Sequence, residues 1–172
     1  MRSVHGKTPR VQPGMRGELQ GEPLAGLRLR ALEPGDAAEA VRIARLCPEA
    51  AAWNEEAYAR LRETGCRGWG ARTGTEMVGF LVARCAADEA EILNLAVAPE
   101  SRRRGYATAL AQEALREFWR QGVRRVFLEV RASNRGAIAF YEGLGFQAAG
   151  RRAAYYETPR EDAVCMALEF PG

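Results

Sequence analysis

EILNLAVAPESRRRG, residues Glu91 to Gly105, runs on into YATALAQEALREFW, residues Tyr106 to Trp119, and this stretch decides how the rest of the chain reads. Ile92 to Ala98 is an apolar run that predicts a buried strand, and Pro99 stops it. Three arginines and Gly105 follow. Ala107, Leu110, Ala111, Ala114, Leu115 and Phe118 then recur at a helical period. A strand, a basic glycine-containing turn and a helix start suit a phosphate-bearing ligand. Free backbone N–H groups and the positive end of the helix dipole face the anion, and Gly105 lets the chain approach it closely. The same pattern also fits an ordinary strand–turn–helix with a solvated basic turn. The segment alone leaves both readings open.

Outward from this stretch, Leu27–Leu32 alternates and predicts a first strand. Residues 1–26 are rich in Gly, Pro and charge and read as a flexible leader, with Met15 a second candidate start. Asp36 is placed to cap a helix to about Leu46, and Asn54 to cap a second helix stopped by Gly65. Strand candidates at 67–73, 76–85 and 90–98, with turns at Gly74 and Ala86–Asp88, predict an antiparallel meander. The helix at 105–121 stops at Gly122. Arg125–Arg131 is the next strand, and a strand–helix–strand unit favours parallel pairing of 90–98 with 125–131. Asn134 caps a short helix to Leu144. Phe146–Arg152 and Val164–Phe170 predict a closing hairpin whose loop carries Tyr155, Tyr156 and Pro159.

The chain has 172 residues, 47% hydrophobic and 27% charged, which predicts one globular domain over 27–172. No apolar stretch approaches the roughly 20 residues that span a bilayer. The start has no apolar signal core, so a cytoplasmic location is expected. Six basic and two acidic side chains fall in residues 1–30, and the body is near neutral. That argues against a general nucleic-acid-binding surface. Cys47, Cys66, Cys85 and Cys165 are widely spaced, and the one histidine is His5. No metal-ligand spacing exists, and the cysteines read as small buried hydrophobes.

In Val126-Phe127-Leu128-Glu129-Val130 a single carboxylate interrupts a strand apolar on both faces. Glu129 must pair with an arginine, Arg131 or Arg103 being candidates, or face a wet cleft. In a cleft it suits proton abstraction. Asn94 is a second polar residue in an apolar strand, able to bond a neighbouring loop or hold a water. Tyr141 shares a helix face with Ile138 and Leu144 and reads, taken alone, as a core tyrosine. Trp53, Trp69 and Trp119 read as packing residues, with Trp53 the exception because it sits in a loop before a helix cap.

Arg102-x-x-Gly105-x-Ala107 after a strand resembles the coenzyme A signature of the GCN5-related N-acetyltransferases (GNAT). LEVRASN (128–134), AIAFYEGLGF (137–146), NLAV before Pro99, RRAAYY (151–156) and EDA (161–163) are similar to the RimI branch, the bacterial ribosomal-protein-alanine N-acetyltransferases. The resemblance covers about residues 27–170. It departs at 47–66, which keeps Trp53 but otherwise matches loosely. Alanine also stands where the branch has asparagine before Tyr155-Tyr156.

The resemblance implies an α/β (α+β) GNAT fold: a mixed, mostly antiparallel sheet of about seven strands, with a splayed parallel pair and about four helices. It implies acetyl-coenzyme A as co-substrate and no metal. Glu129 is then the base and Tyr141 the acid. Leu95, Ala96 and Val97 would line the pantetheine, with a backbone N–H near Val97 facing the oxyanion. Arg102, Arg103, Arg104, Gly105, Tyr106, Ala107 and Thr108 would hold the pyrophosphate, and Asn134 and Tyr141 the coenzyme arm. Trp53, Asn94, Tyr155 and Tyr156 fall to the acceptor. The implied acceptor is a protein N-terminus, the N-terminal alanine of small-subunit ribosomal protein eighteen, with monomer or weak homodimer as the expected state. A protein lysine or small-molecule amine as acceptor, or a non-catalytic acyl-coenzyme A sensor, are the alternatives.

Overall fold

The computed structural model describes residues 24–171. The expectations for residues 1–23, including Met15 and His5, lie outside the described residues. Seven strands form one mixed sheet in the order β1-β2-β3-β4-β5-β7-β6. The strands are β1 (Leu27–Ala31), β2 (Cys66–Thr73), β3 (Glu76–Ala86), β4 (Glu89–Val97), β5 (Arg125–Arg131), β6 (Gln147–Glu157) and β7 (Arg160–Glu169). Four α-helices accompany them among the described residues: α1 (Ala37–Arg45), α2 (Glu55–Ala59), α3 (Tyr106–Arg120) and α4 (Arg135–Gly143). No described helix is long and apolar enough to cross a membrane.

Two apolar clusters hold the elements together, one on each face of the sheet. Leu110, Ala111, Ala114, Leu115 and Phe118 bury the inner face of α3 against Leu81, Ile92, Val126 and Leu128. Each large side chain there contributes about 1.5–3 kcal/mol by burial. On the other face Val41 and Ile43 of α1 pack with Tyr58, Phe80, Val82 and Ala96.

The meander forms as expected, and β4 pairs with β5 in parallel. That pairing is brief: Glu89, Ala90 and Glu91 face Arg125, Val126 and Phe127, and then the strands part. A bulge in β4 marks the departure. Val82 faces Asn94 and Ala83 faces Ile92, so Leu93 has no partner on β3. One extra residue reverses the alternation of faces. Ile92 therefore joins the α3 cluster, while Ala96 joins the cluster under α1 and α2.

Three expectations are corrected. Asp36 stands before α1 but makes no side-chain cap bond, because its carboxylate takes Arg30 at 2.6 and 2.9 Å and the Glu33 N–H at 2.9 Å. The helix capped by Asn54 ends at Ala59, short of Gly65. Turns follow, closed where Cys66 N–H donates to Leu61 O at 2.8 Å across left-handed Gly65. Finally, Tyr155 and Tyr156 belong to β6, leaving only Thr158 and Pro159 between the strands. Surplus residues are absorbed by a bulge between Arg152 and Tyr156, which face Ala163 and Glu161. There Ala154 takes φ 49° and donates its N–H to Asp162 Oδ1 at 2.9 Å. All four cysteines are free; Cys47 and Cys66 are buried, Cys85 and Cys165 half-buried.

Candidate active site at the strand opening

The parting of β4 and β5 opens a cleft of about 870 Å³ through the middle of the sheet. Leu95, Ala96 and Val97 form its β4 wall, and Leu128, Glu129 and Val130 its β5 wall. Ala107 of α3 and Asn134, Phe140 and Tyr141 at α4 line one side. Trp53, Tyr155 and Tyr156 line the other.

Glu129 lies two residues beyond Phe127, the last β5 residue paired with β4. Val126, Leu128 and Val130 are buried under α3 and α4, so alternation turns Glu129 to the opposite face. Its side chain is 16% exposed and accepts from Arg152 Nη1 at 2.9 Å. The partner is neither Arg131 nor Arg103. Arg131 is held by Thr158 O, Pro159 O and Glu161, with its guanidinium 4.2 Å from the Tyr156 ring centre. Arg152 lies over Tyr155 at 5.0 Å. Two arginine–tyrosine stacks therefore set the aromatic mouth. Burial pushes the Tyr156 phenol up.

Tyr141 is buried on α4, with its ring edge-on to Phe140 and Phe146. Burial pushes its phenol well above the ordinary value, so it keeps its proton throughout the neutral range. Asn134 caps α4, accepting from Ala137 N–H at 3.1 Å. Tyr141 packs in the core and also lines the cleft.

Asn94 is buried and tied to the loop before α2. It donates to Ala51 O and accepts from Ala51 N–H, both at 3.2 Å, and donates to the Tyr58 hydroxyl at 3.0 Å. This is the loop-bonding alternative, and it fixes Trp53 through its ring contact with Tyr58 at 5.5 Å. Arg102 does similar work at the other end of the loop. It donates to Val97 O at 3.2 Å, Cys47 Sγ at 3.3 Å and Glu49 at 2.7 Å. Burial raises the Cys47 thiol despite that guanidinium.

Arg103 at φ 59° and Gly105 at φ 81° are both left-handed, and α3 starts directly after them. Arg103, Arg104 and Gly105 are exposed, whereas Tyr106 packs against the α3 cluster and Thr108 is half-buried. Arg102 bonds Glu49, whereas Arg103 and Arg104 are exposed at the turn. A Cβ at Gly105 would lie 3.3 Å from Leu24 Cδ1. No cluster of metal-ligating side chains occurs among the described residues.

Arg152, Tyr58 and Glu49 also shape the site. Tyr58 had a signal: with Leu61 it forms the apolar face of an otherwise charged segment. Arg152 and Glu49 had none, because their partners are 23 and 53 residues away.

The sequence model of the Acetyltransferase (GNAT) family matches residues 21–146. The [Ribosomal protein bS18]-alanine N-acetyltransferase of Escherichia coli K12 is 39% identical over 118 residues, 67% of this chain and 80% of that one. The N-alpha-acetyltransferase RimI of Mycobacterium tuberculosis is 39% identical over 101 residues, 56% of this chain and 62% of that one. Among solved structures, the E. coli ribosomal-protein-S18-alanine N-acetyltransferase superimposes with a TM-score of 0.75 at 35% identity, covering 85% of this chain and 96% of that one. Ard1 from Thermoplasma volcanium gives 0.77 at 26% identity, covering 86% and 99%.

Proposed function

The chain belongs to the acetyltransferase (GNAT) family, and on that premise we propose that it acetylates a protein N-terminal amine, that of an alanine at the start of small-subunit ribosomal protein S18. Similarity to the E. coli bS18-alanine enzyme supports the acceptor. The observation that carries the reading is Glu129, a recessed carboxylate at the strand opening, under an aromatic mouth on the face away from α3 and α4.

The chain's features fit acetyl-coenzyme A. Beyond Glu91 the β4 edge is released from β5 and can pair with an extended arm along Leu95–Val97. The N–H groups of Arg103–Thr108, at the start of a fifteen-residue helix, suit a pyrophosphate. Asn134 lines the path between them. Bound there, the coenzyme supplies an activated acetyl thioester.

The chain's own residues supply the proton handling. An α-amino group has a pKa of about 7.7–8.0 and arrives mostly protonated at neutral pH. Glu129 takes that proton, directly or through a water. Tyr141, kept protonated by burial, donates to the leaving sulfur. The setting is the cytoplasm, where newly made ribosomal proteins expose their N-termini.

Peptides beginning with alanine, lysine side chains in N-terminally blocked peptides, and small amines, each offered with acetyl-coenzyme A, test the acceptor. Turnover concentrated on free N-terminal alanine supports the proposal; equal turnover on small amines overturns the peptide assignment. Glu129→Gln tests the base. Its rate loss should be largest near neutral pH and smaller where the amine deprotonates unaided. A loss independent of pH reduces Glu129 to a positioning role.

A further inference from the structure

We propose that Arg152 is a resident cation, holding the Glu129 carboxylate until the ammonium group of the acceptor replaces it. The inference rests on Glu129 facing the acceptor, as proposed above. Glu129 is 16% exposed, and Arg152, bonded to it at 2.9 Å, is 55% exposed. The guanidinium is thus the more exposed member of the pair, and an amine reaching Glu129 from its side meets Arg152 first. An ammonium on the same carboxylate would stand close to the guanidinium and repel it, so its arrival weakens the single Arg152 bond.

The surroundings favour this exchange. Arg152 belongs to β6, the last strand of the sheet, and begins the bulge that contains left-handed Ala154. Its other contact is the exposed Tyr155 ring at 5.0 Å. That contact can hold the guanidinium after it leaves Glu129. Arg131 offers the contrast. Two backbone carbonyls and Glu161 fix it, so it frames the mouth and does not exchange.

Two consequences follow. The empty site is neutralised, so an unpaired carboxylate is not left in a recess, a costly arrangement. The acceptor must also bring a cation to displace Arg152. A ligand of the same shape without the amine leaves the pair intact and gains nothing from Glu129.

The experiment compares a short peptide beginning with alanine against its des-amino analogue, which begins with a propionyl group. KM and kcat for the peptide and the inhibition constant of the analogue are measured on wild type, Arg152→Ala, Arg152→Gln and Arg152→Lys. Ion pairs with an exposed partner are weak, so loss of the competitor should lower the peptide KM by up to about fivefold. The analogue's inhibition constant should stay unchanged in every variant, and Arg152→Lys should restore the wild-type KM. A peptide KM that is unchanged or raised in both Arg152→Ala and Arg152→Gln overturns the proposal. So does an equal change for peptide and analogue, which would make Arg152 a wall of the pocket. If the acceptor proves to be a small amine, the N-terminal reading fails. The same comparison is then run with that amine and its amine-free analogue.

Discussion

The side-chain amide of Asn94 on β4 donates to the Tyr58 hydroxyl of α2 at 3.0 Å, while its other bonds hold the backbone of Ala51. One buried amide thus fixes the loop that carries Trp53 into the cleft. The β4 bulge makes the contact possible, since it turns Asn94 toward α2 while Ile92 still faces α3.

Tyr58→Phe keeps the ring contacts with Trp53 and Phe80 and removes the acceptor for Asn94. Stability should fall by about 1 kcal/mol, the usual net worth of such a bond. The acceptor KM should rise and coenzyme affinity should not change. The variant also alters the alkaline limb of stability. Burial pushes the Tyr58 phenol up to about 12, against about 10 in an unfolded chain. The folded protein holds that proton more tightly, so this contribution is complete below about pH 10 and is lost as pH rises through about 12. Urea midpoints across that range should decline less steeply in Tyr58→Phe than in wild type.

Gly105→Asp places a charged side chain where the turn should meet a pyrophosphate. Binding of acetyl-coenzyme A should be abolished by calorimetry. Part of any effect is strain, since φ is 81° there and Leu24 lies close. Gly122→Asp is the control. Gly122 has φ 80° at the far end of α3, with open space around its Cβ position. Each substitution should cost about 1–2 kcal/mol in conformation, yet only the first should affect the coenzyme. Equal affinity in both variants would remove the coenzyme from the turn.

Tyr141→Phe preserves the edge-on packing against Phe140 and Phe146 and deletes a phenol that burial keeps protonated. A general acid contributes about 100- to 10,000-fold. Turnover should fall within that range, with coenzyme affinity and melting temperature nearly unchanged. A rate close to wild type would leave Tyr141 as a core residue only.

Ala154→Asn addresses the bulge beneath the aromatic mouth. Alanine at φ 49° is strained, and asparagine tolerates the left-handed region better. A gain of about 1 kcal/mol would raise the melting temperature by about 2–4 °C in a chain of this size. No gain would mean that the N–H bond to Asp162 already offsets the strain.

The sequence alone determined whatever depends on neighbours within a helical turn or along one strand. The strand at Arg125–Arg131 and the helix of the opening stretch stand where apolar periodicity put them. Asn54 and Asn134 cap helices as expected, through Ala57 and Ala137 N–H at 2.9 and 3.1 Å. The oddity of a carboxylate at Glu129 was legible for the same reason, since it breaks a local pattern. Only the tertiary structure decided which groups that pattern breaker would meet. Placing β7 between β5 and β6, with a two-sided bulge at Ala154, brings Arg152 to Glu129 and turns Tyr155 and Tyr156 into the cleft. Releasing β4 from β5 after Glu91 opens the sheet, and the bulge at Leu93 sends Asn94 to Tyr58. Arg102, in the basic turn, is tied to Glu49 across 53 residues, a partner no local pattern reveals. These pairings follow from strand order and register. Both are set by how the two apolar clusters close over the sheet, and that closure is a property of the whole chain.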